Sequence, residues 1–76
     1  MDPKHMTHEE IKHLVFVLPD LHQDQRDTIK SLLMRLADGD NGKIWPKALH
    51  EALLRLREAY AITEFDKKNI EMAVFS

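Results

Sequence analysis

Histidine has the widest chemical range of the residues in this chain, because imidazole binds metal ions and exchanges protons near neutral pH. A zinc site needs three or four ligands that converge on one point. His5 and His8 have a suitable spacing, but they flank a predicted helix start, and His13 lies five positions beyond His8. The five histidines are therefore expected to be scattered over the surface without forming a metal site: His5, His8, His13, His22 and His50.

The loop Asp38–Ile44 looks like the calcium loop of an EF-hand, in which acidic residues at alternate positions wrap the ion around a required glycine. When Gly42 is placed at the sixth loop position, Ala37 and Ala48 fall at the first and twelfth positions, where carboxylates are needed. A degenerate, EF-hand-like calcium binder is therefore the third-ranked hypothesis. The favoured interpretation is a plain connection between two helices.

Catalytic constellations are missing from the sequence. The serines and threonines fall at predicted helix starts or on polar faces, where hydrogen bonds to the backbone account for them. Paired carboxylates such as Glu9 and Glu10 are adjacent in sequence, so their side chains do not face each other across a site. The chain is predicted to be non-enzymatic, without a cofactor or a small-molecule substrate.

Helix caps and apolar periodicity delimit the elements that must position these residues. Thr7 and Thr63 open the first and fourth helices, Asp20 is expected to cap the second, and Pro46 suits the first position of the third. The predicted fold is all-α, a compact bundle of four short helices at about 8–18, 21–37, 46–60 and 64–75.

Length and charge restrict the class of protein. A chain of 76 residues allows one domain, residues 1–76, whose thin core no disulfide reinforces because cysteine is absent. The net charge of -2 gives no long-range attraction to nucleic acid or a membrane surface, and the apolar run Leu14–Leu18 is too short to span a bilayer. A cytoplasmic protein is expected, with residues 1–6 disordered or left from an expression tag.

Apolar side chains exceed what one small core absorbs. Leucines at helical spacing are expected to fill that core: Leu32, Leu33, Leu36, Leu49, Leu53 and Leu56. A surplus of large apolar residues remains on the first and last helices: Phe16, Val17, Phe65, Met72 and Phe75. Such a surplus marks interaction sites, although a centrally placed last helix would also bury it. Trp45 is either a further interface anchor or a loop residue folded over the helix ends.

These residues favour a small regulatory or adaptor protein that binds another protein, or a second copy as a homodimer, through apolar faces of its first and last helices. The second hypothesis is a DNA-associated transcriptional regulator that uses the basic third helix and its approach, with Lys43, Lys47, Arg55 and Arg57. The connection before that helix is about twice as long as the turn of a helix-turn-helix.

A family resemblance agrees with this interpretation. From Leu21 to Phe75 the chain has a long helix that ends in a Gly/Asn loop, a leucine-rich helix and a short final helix. The pattern includes Ile44, Lys47, Leu49, Leu53-Leu54 and Leu56. It resembles small enterobacterial regulators of the AriR/YmgB type, which are associated with biofilm formation and acid resistance. The resemblance implies a bacterial helical dimer that binds regulatory proteins, with a suggestion of DNA binding and no catalytic residue.

Overall fold

The computed structural model describes residues 2–76 and is mostly helical, as the sequence predicts. In chain order the elements are β1 (Lys4–His5), α1 (His8–Val17), α2 (Gln23–Asp38), β2 (Lys43–Ile44), α3 (Pro46–Glu58) and α4 (Glu64–Phe75). The four predicted helices are present. The two short strands were not predicted, because strands of two residues have no periodicity that a sequence could reveal.

The strands tie the start of the chain to the loop between α2 and α3. They pair antiparallel, with Lys4 opposite Ile44 and His5 opposite Lys43, and the Met6 N–H donates to the Gly42 carbonyl at 2.9 Å. The Met6 side chain is buried. Backbone pairing and the burial of Met6 give this segment a defined position, while Met1 lies outside the described residues. That residues 1–6 are disordered or left from an expression tag stays a prediction.

Helix α2 begins at Gln23, two residues later than predicted. Asp20, the expected cap, instead follows Pro19 in a left-handed conformation with φ 59°. His22 is the N-cap residue, and its N–H donates to Gln25 Oε1 at 2.8 Å. The cap was misplaced because the chain makes a tight bend after Pro19 before the helix starts.

Helix α3 ends at Glu58, two residues earlier than predicted. Tyr60 takes a left-handed φ of 60°, and the Ala61 N–H donates to the Leu56 carbonyl at 2.9 Å. This is the geometry of a Schellman stop, in which glycine is the usual left-handed residue. Helix α1 ends one residue early, at Val17, and α4 has the predicted bounds.

The core draws on all four helices. Its buried apolar side chains are Met6, Ile11, Val15, Leu18, Ile29, Leu32, Leu33, Ala37, Ile44, Leu49, Leu53, Ile62, Ile70 and Val74. Leu36 and Leu56, both predicted to be in the core, are only half-buried at its edge. The reason is that α1 packs mainly on α2 and α4 mainly on α3, whereas α2 and α3 pack less extensively on each other.

Within residues 2–76, no helix is both long enough and apolar enough to cross a membrane.

Candidate functional site

The end of helix α1 presents two apolar side chains to solvent, here called the α1 patch: Phe16, 69% exposed, and Val17, 62% exposed. The opposite face of α1 is anchored in the core by Ile11 and Val15. Arg26 of α2 fixes the end of the helix, because its Nη1 donates to the Val15 carbonyl at 2.6 Å and to the Phe16 carbonyl at 3.2 Å. The α1 patch is therefore displayed on a fixed backbone.

A hydrogen-bonded cap fixes the start of the same helix. The Glu10 N–H donates to Thr7 Oγ1 at 3.1 Å, and the Thr7 N–H donates to Glu10 Oε1 at 2.9 Å. The hydrogen bonds from the Thr7 backbone and hydroxyl lower the pKa of Glu10 below its ordinary value. The capping box predicted from the sequence is thus present.

A shallow groove of about 470 Å³ lies between α1 and α2 beside this patch. Val15 and Phe16 supply its apolar wall, and Lys12, Arg26 and Lys30 give it a positive character that Asp27 only partly offsets. The groove therefore combines an apolar wall with a mainly basic rim.

Helix α4 carries the second exposed surface, here called the α4 patch: Phe65, 61% exposed, and Met72, 68% exposed. The two residues are seven apart, so they lie on one side of the helix two turns from each other. Ile70 and Val74 are buried on the other side. Phe75 differs from its prediction, because it is half-buried and packs against the core.

The structure separates these candidate anchors into distinct surfaces. Helices α1 and α4 are not among the pairs that pack extensively together, so each patch belongs to a different helix pair. Trp45, at the start of α3, is partly exposed, and its Nε1 donates to Asp40 Oδ2 in the preceding loop. Tyr60, which follows α3, is 95% exposed.

A chain of charged side chains fastens α4 to α3. Lys67 is buried, and its Nζ lies 2.7 Å from Glu71 Oε1 and 3.8 Å from Glu64 Oε2. Glu71 also lies 3.4 Å from His50 Nδ1, and Glu64 lies 3.2 Å from Arg57 Nε. The spacing of Lys67 from Glu64 and Glu71 is typical of helical ion pairs, but the burial of the lysine has no signal in the sequence.

Two opposing effects act on the Glu71 carboxyl. Burial raises its pKa, but the hydrogen bond and charge of Lys67, followed by those of His50, outweigh burial. The pKa of Glu71 therefore lies below the ordinary value of 4.5. Glu71 is charged at neutral pH, and its charge stabilises the junction between the two helices.

The histidines do not assemble into a metal centre. His8 Nε2 lies 2.8 Å from Asp38 Oδ1, which joins the start of α1 to the end of α2, and His50 contacts Glu71. Over residues 2–76, no three His, Asp or Glu side chains lie where they could hold a metal ion. The two histidine contacts found are pairwise links between elements.

The loop after α2 has the order of an EF-hand, with a turn, a short strand and a following helix. Asn41 and Gly42 have positive φ values of 54° and 87°, and Ile44 is fully buried. Ala37 and Ala48, which occupy the first and twelfth positions, have no oxygen in their side chains to offer an ion. The geometry therefore gives the calcium hypothesis no support.

The four cations of the DNA hypothesis are dispersed. Arg57 is paired with Glu64, and Lys43 belongs to strand β2. At about 100° per residue, Arg55 and Arg57 point about 160° apart around α3. They do not form a single basic face on this helix, and the DNA hypothesis stays a prediction.

No protein-family model matches this sequence, and comparisons with characterised proteins and with solved structures find no significant match. The resemblance to AriR/YmgB-type regulators likewise stays a prediction.

Proposed function

We propose that this chain is a non-enzymatic regulatory or adaptor module that binds another protein, or a second copy of itself, through the α1 patch and the α4 patch. The observation that carries the proposal is the exposure of Phe16, Val17, Phe65 and Met72, none of which belongs to the buried core. An exposed apolar side chain contributes little to folding, but it gains free energy when a partner covers it.

The manner of display supports the same function. Arg26 holds the end of α1 in place, and a capping box at Thr63 opens α4, with the Asp66 N–H donating to Thr63 Oγ1 at 3.0 Å. Anchors on fixed helices lose little conformational entropy when they bind, and preorganisation of this kind favours affinity. The four helices are best described as a small bundle that presents these two patches.

The test compares three variants of the full chain with the unmodified protein. Phe16→Ser with Val17→Ser removes the α1 patch, and Phe65→Ser with Met72→Ser removes the α4 patch. Tyr60→Ser is the matched control, because it removes an exposed aromatic ring outside both patches. Circular dichroism establishes that each variant is folded.

Two measurements decide the outcome. Sedimentation velocity reports self-association, and affinity capture from the native host followed by mass spectrometry reports other partners. We expect self-association or a specific captured protein to be lost in at least one patch variant and kept in the Tyr60 control. A monomeric protein whose captured proteins are identical in all variants would refute the proposal.

A further inference from the structure

A second groove, on a different face, lies between α2 and α3 and has a volume of about 390 Å³. Both helices contribute the same pattern to its lining. Each helix supplies two apolar residues that are four positions apart, and an arginine directly precedes the second apolar residue. The residues are Leu32, Arg35 and Leu36 on α2, and Ala52, Arg55 and Leu56 on α3. The groove is therefore an apolar strip with an arginine on each wall.

The floor is uncovered because of the helix arrangement described above. Leu36, Ala52 and Leu56 are half-buried, and α2 and α3 pack on each other less than on their other neighbours. Residues four apart on two adjacent helices form parallel ridges, and the groove between such ridges fits the ridge of a third helix. The shape thus favours a helical occupant.

The charge on the walls selects among helices. Arg35 and Arg55 are exposed, and neither takes part in an ion pair with the described residues. No acidic residue lines this groove. Arg57, in contrast, is paired with Glu64 on the other side of α3. The two free guanidinium groups can each receive a carboxylate in a bidentate hydrogen bond.

We propose that the α2–α3 groove docks an acidic amphipathic helix of another protein. The helix would place apolar side chains at positions i and i+4 on the leucine floor, and Asp or Glu side chains on its flanks would meet Arg35 and Arg55. This binding mode uses residues that the α1 and α4 patches do not include, so it goes beyond the proposed function above.

A second copy of this chain fits the groove less well, because a lysine accompanies each of its exposed apolar strips and would repel Arg35 and Arg55. Lys68 lies between Phe65 and Met72 on the exposed side of α4. On α1, Lys12 lies on the face that carries Phe16. Its Nζ lies 3.4 Å from Glu9 Oε1, so these two charges cancel. The charges therefore favour a foreign helix that carries an excess of carboxylates.

The experiment measures binding of dye-labelled synthetic helices to the full chain by fluorescence anisotropy. One set of peptides has leucine at every third or fourth position and glutamate on both flanks, and a second set replaces each glutamate by lysine. The groove variant is Arg35→Glu with Arg55→Glu. Lys4→Glu with Lys47→Glu is the matched control, because it makes the same change in net charge at exposed lysines outside the groove and outside both patches.

We expect an acidic helix to bind the unmodified chain and to bind the groove variant about tenfold more weakly or worse. The lysine peptide should bind the groove variant better than the unmodified chain, which is a reversal that general stickiness does not produce. The control variant should retain the affinity of the unmodified chain for the acidic helix within about twofold. Circular dichroism should show both variants equally folded.

Four results would overturn the inference. The first is that acidic and basic helices bind the unmodified chain equally well. The second is that no acidic helix binds it. The third is binding of duplex DNA, with a steep salt dependence, that Arg35 and Arg55 control while the acidic helices do not compete. The fourth is self-association that only the groove variant abolishes, which would make a second copy the occupant.

Discussion

Replacing Glu71 by glutamine is expected to destabilise the fold, because Glu71 is the nearest acid to a buried ammonium group. The Lys67 Nζ lies 2.7 Å from Glu71 Oε1, whereas Glu64 Oε2 is 3.8 Å away. Glutamine keeps the size of the side chain and one hydrogen-bond acceptor but removes the charge. The substitution therefore tests how much the charge of Glu71 contributes once Lys67 is buried.

The expected loss is about 2 kcal/mol. Breaking a fully buried ion pair costs about 3–5 kcal/mol, because one charge is left without compensation. The Glu71 side chain is 31% exposed and Glu64 remains as a second acid, so water and that carboxylate recover part of the loss. In a domain of this size, a loss of 2 kcal/mol lowers the melting temperature by roughly 10 °C.

The assay is urea and thermal unfolding, followed by circular dichroism at neutral pH and then through a series of lower pH values. Because the pKa of Glu71 is lowered in the folded state, its stabilisation is complete above the ordinary value of 4.5. That stabilisation is lost as the pH falls through the folded pKa. The stability difference between the unmodified chain and the variant should therefore narrow below about pH 4.5.

Glu51→Gln supplies the control, since Glu51 is exposed and forms no ion pair with any residue from 2 to 76. Its effect should stay within about 0.5 kcal/mol at every pH. If Glu71→Gln were as harmless as this control at neutral pH, the reasoning about the buried lysine would be refuted. A difference that did not change with pH would assign the loss to shape rather than charge.

Three further substitutions test the local structure. Tyr60→Gly should raise the free energy of unfolding by about 0.5–1 kcal/mol in urea titrations, because glycine adopts a φ of 60° without strain and the ring that is lost is nearly fully exposed. A decrease in the free energy of unfolding would instead show that the ring packs against the fold. Thr63→Ala should cost about 1 kcal/mol in the same assay by removing the cap of α4, with recovery in Thr63→Ser. Ile70→Ala should cost about 2–5 kcal/mol, whereas Met72→Ala should change stability by no more than about 0.5 kcal/mol. Equal losses would contradict the assignment of Ile70 to the buried face of α4 and of Met72 to the exposed face.

Helix positions were predictable where a local signal set them. The capping boxes at Thr7 and Thr63 and the proline at Pro46 are complete within four residues of sequence, and all three mark helix starts in the structure. The predicted start of α2 and the predicted end of α3 were each wrong by two residues, and a left-handed residue lies next to each of them. Asp20 and Tyr60 hold positive φ without being glycine, and such a choice depends on what the rest of the chain packs against.

The sheet and the groove could not be predicted for a different reason. Lys4 and Ile44 pair across about half of the chain, and no pattern in a two-residue strand indicates its partner. Periodicity assigned Leu36 and Leu56 to the core because it reports which side of a helix is apolar. It does not report whether a neighbouring helix comes close enough to cover that side. The burial of Lys67 is likewise a property of how α4 docks on α3.

The two faces of α4 differ in what they contribute to folding. At about 100° per residue, the side chains of Ile70 and Met72 point about 160° apart around the axis of α4. Ile70 is fully buried, whereas Phe65 and Met72 are mostly exposed on a helix that the core and the Lys67 pairs already hold. Polar residues at Phe65 and Met72 would leave that core intact and would lower the tendency to aggregate. The fold therefore does not explain these two side chains, and this is the physical reason for proposing that they bind a partner.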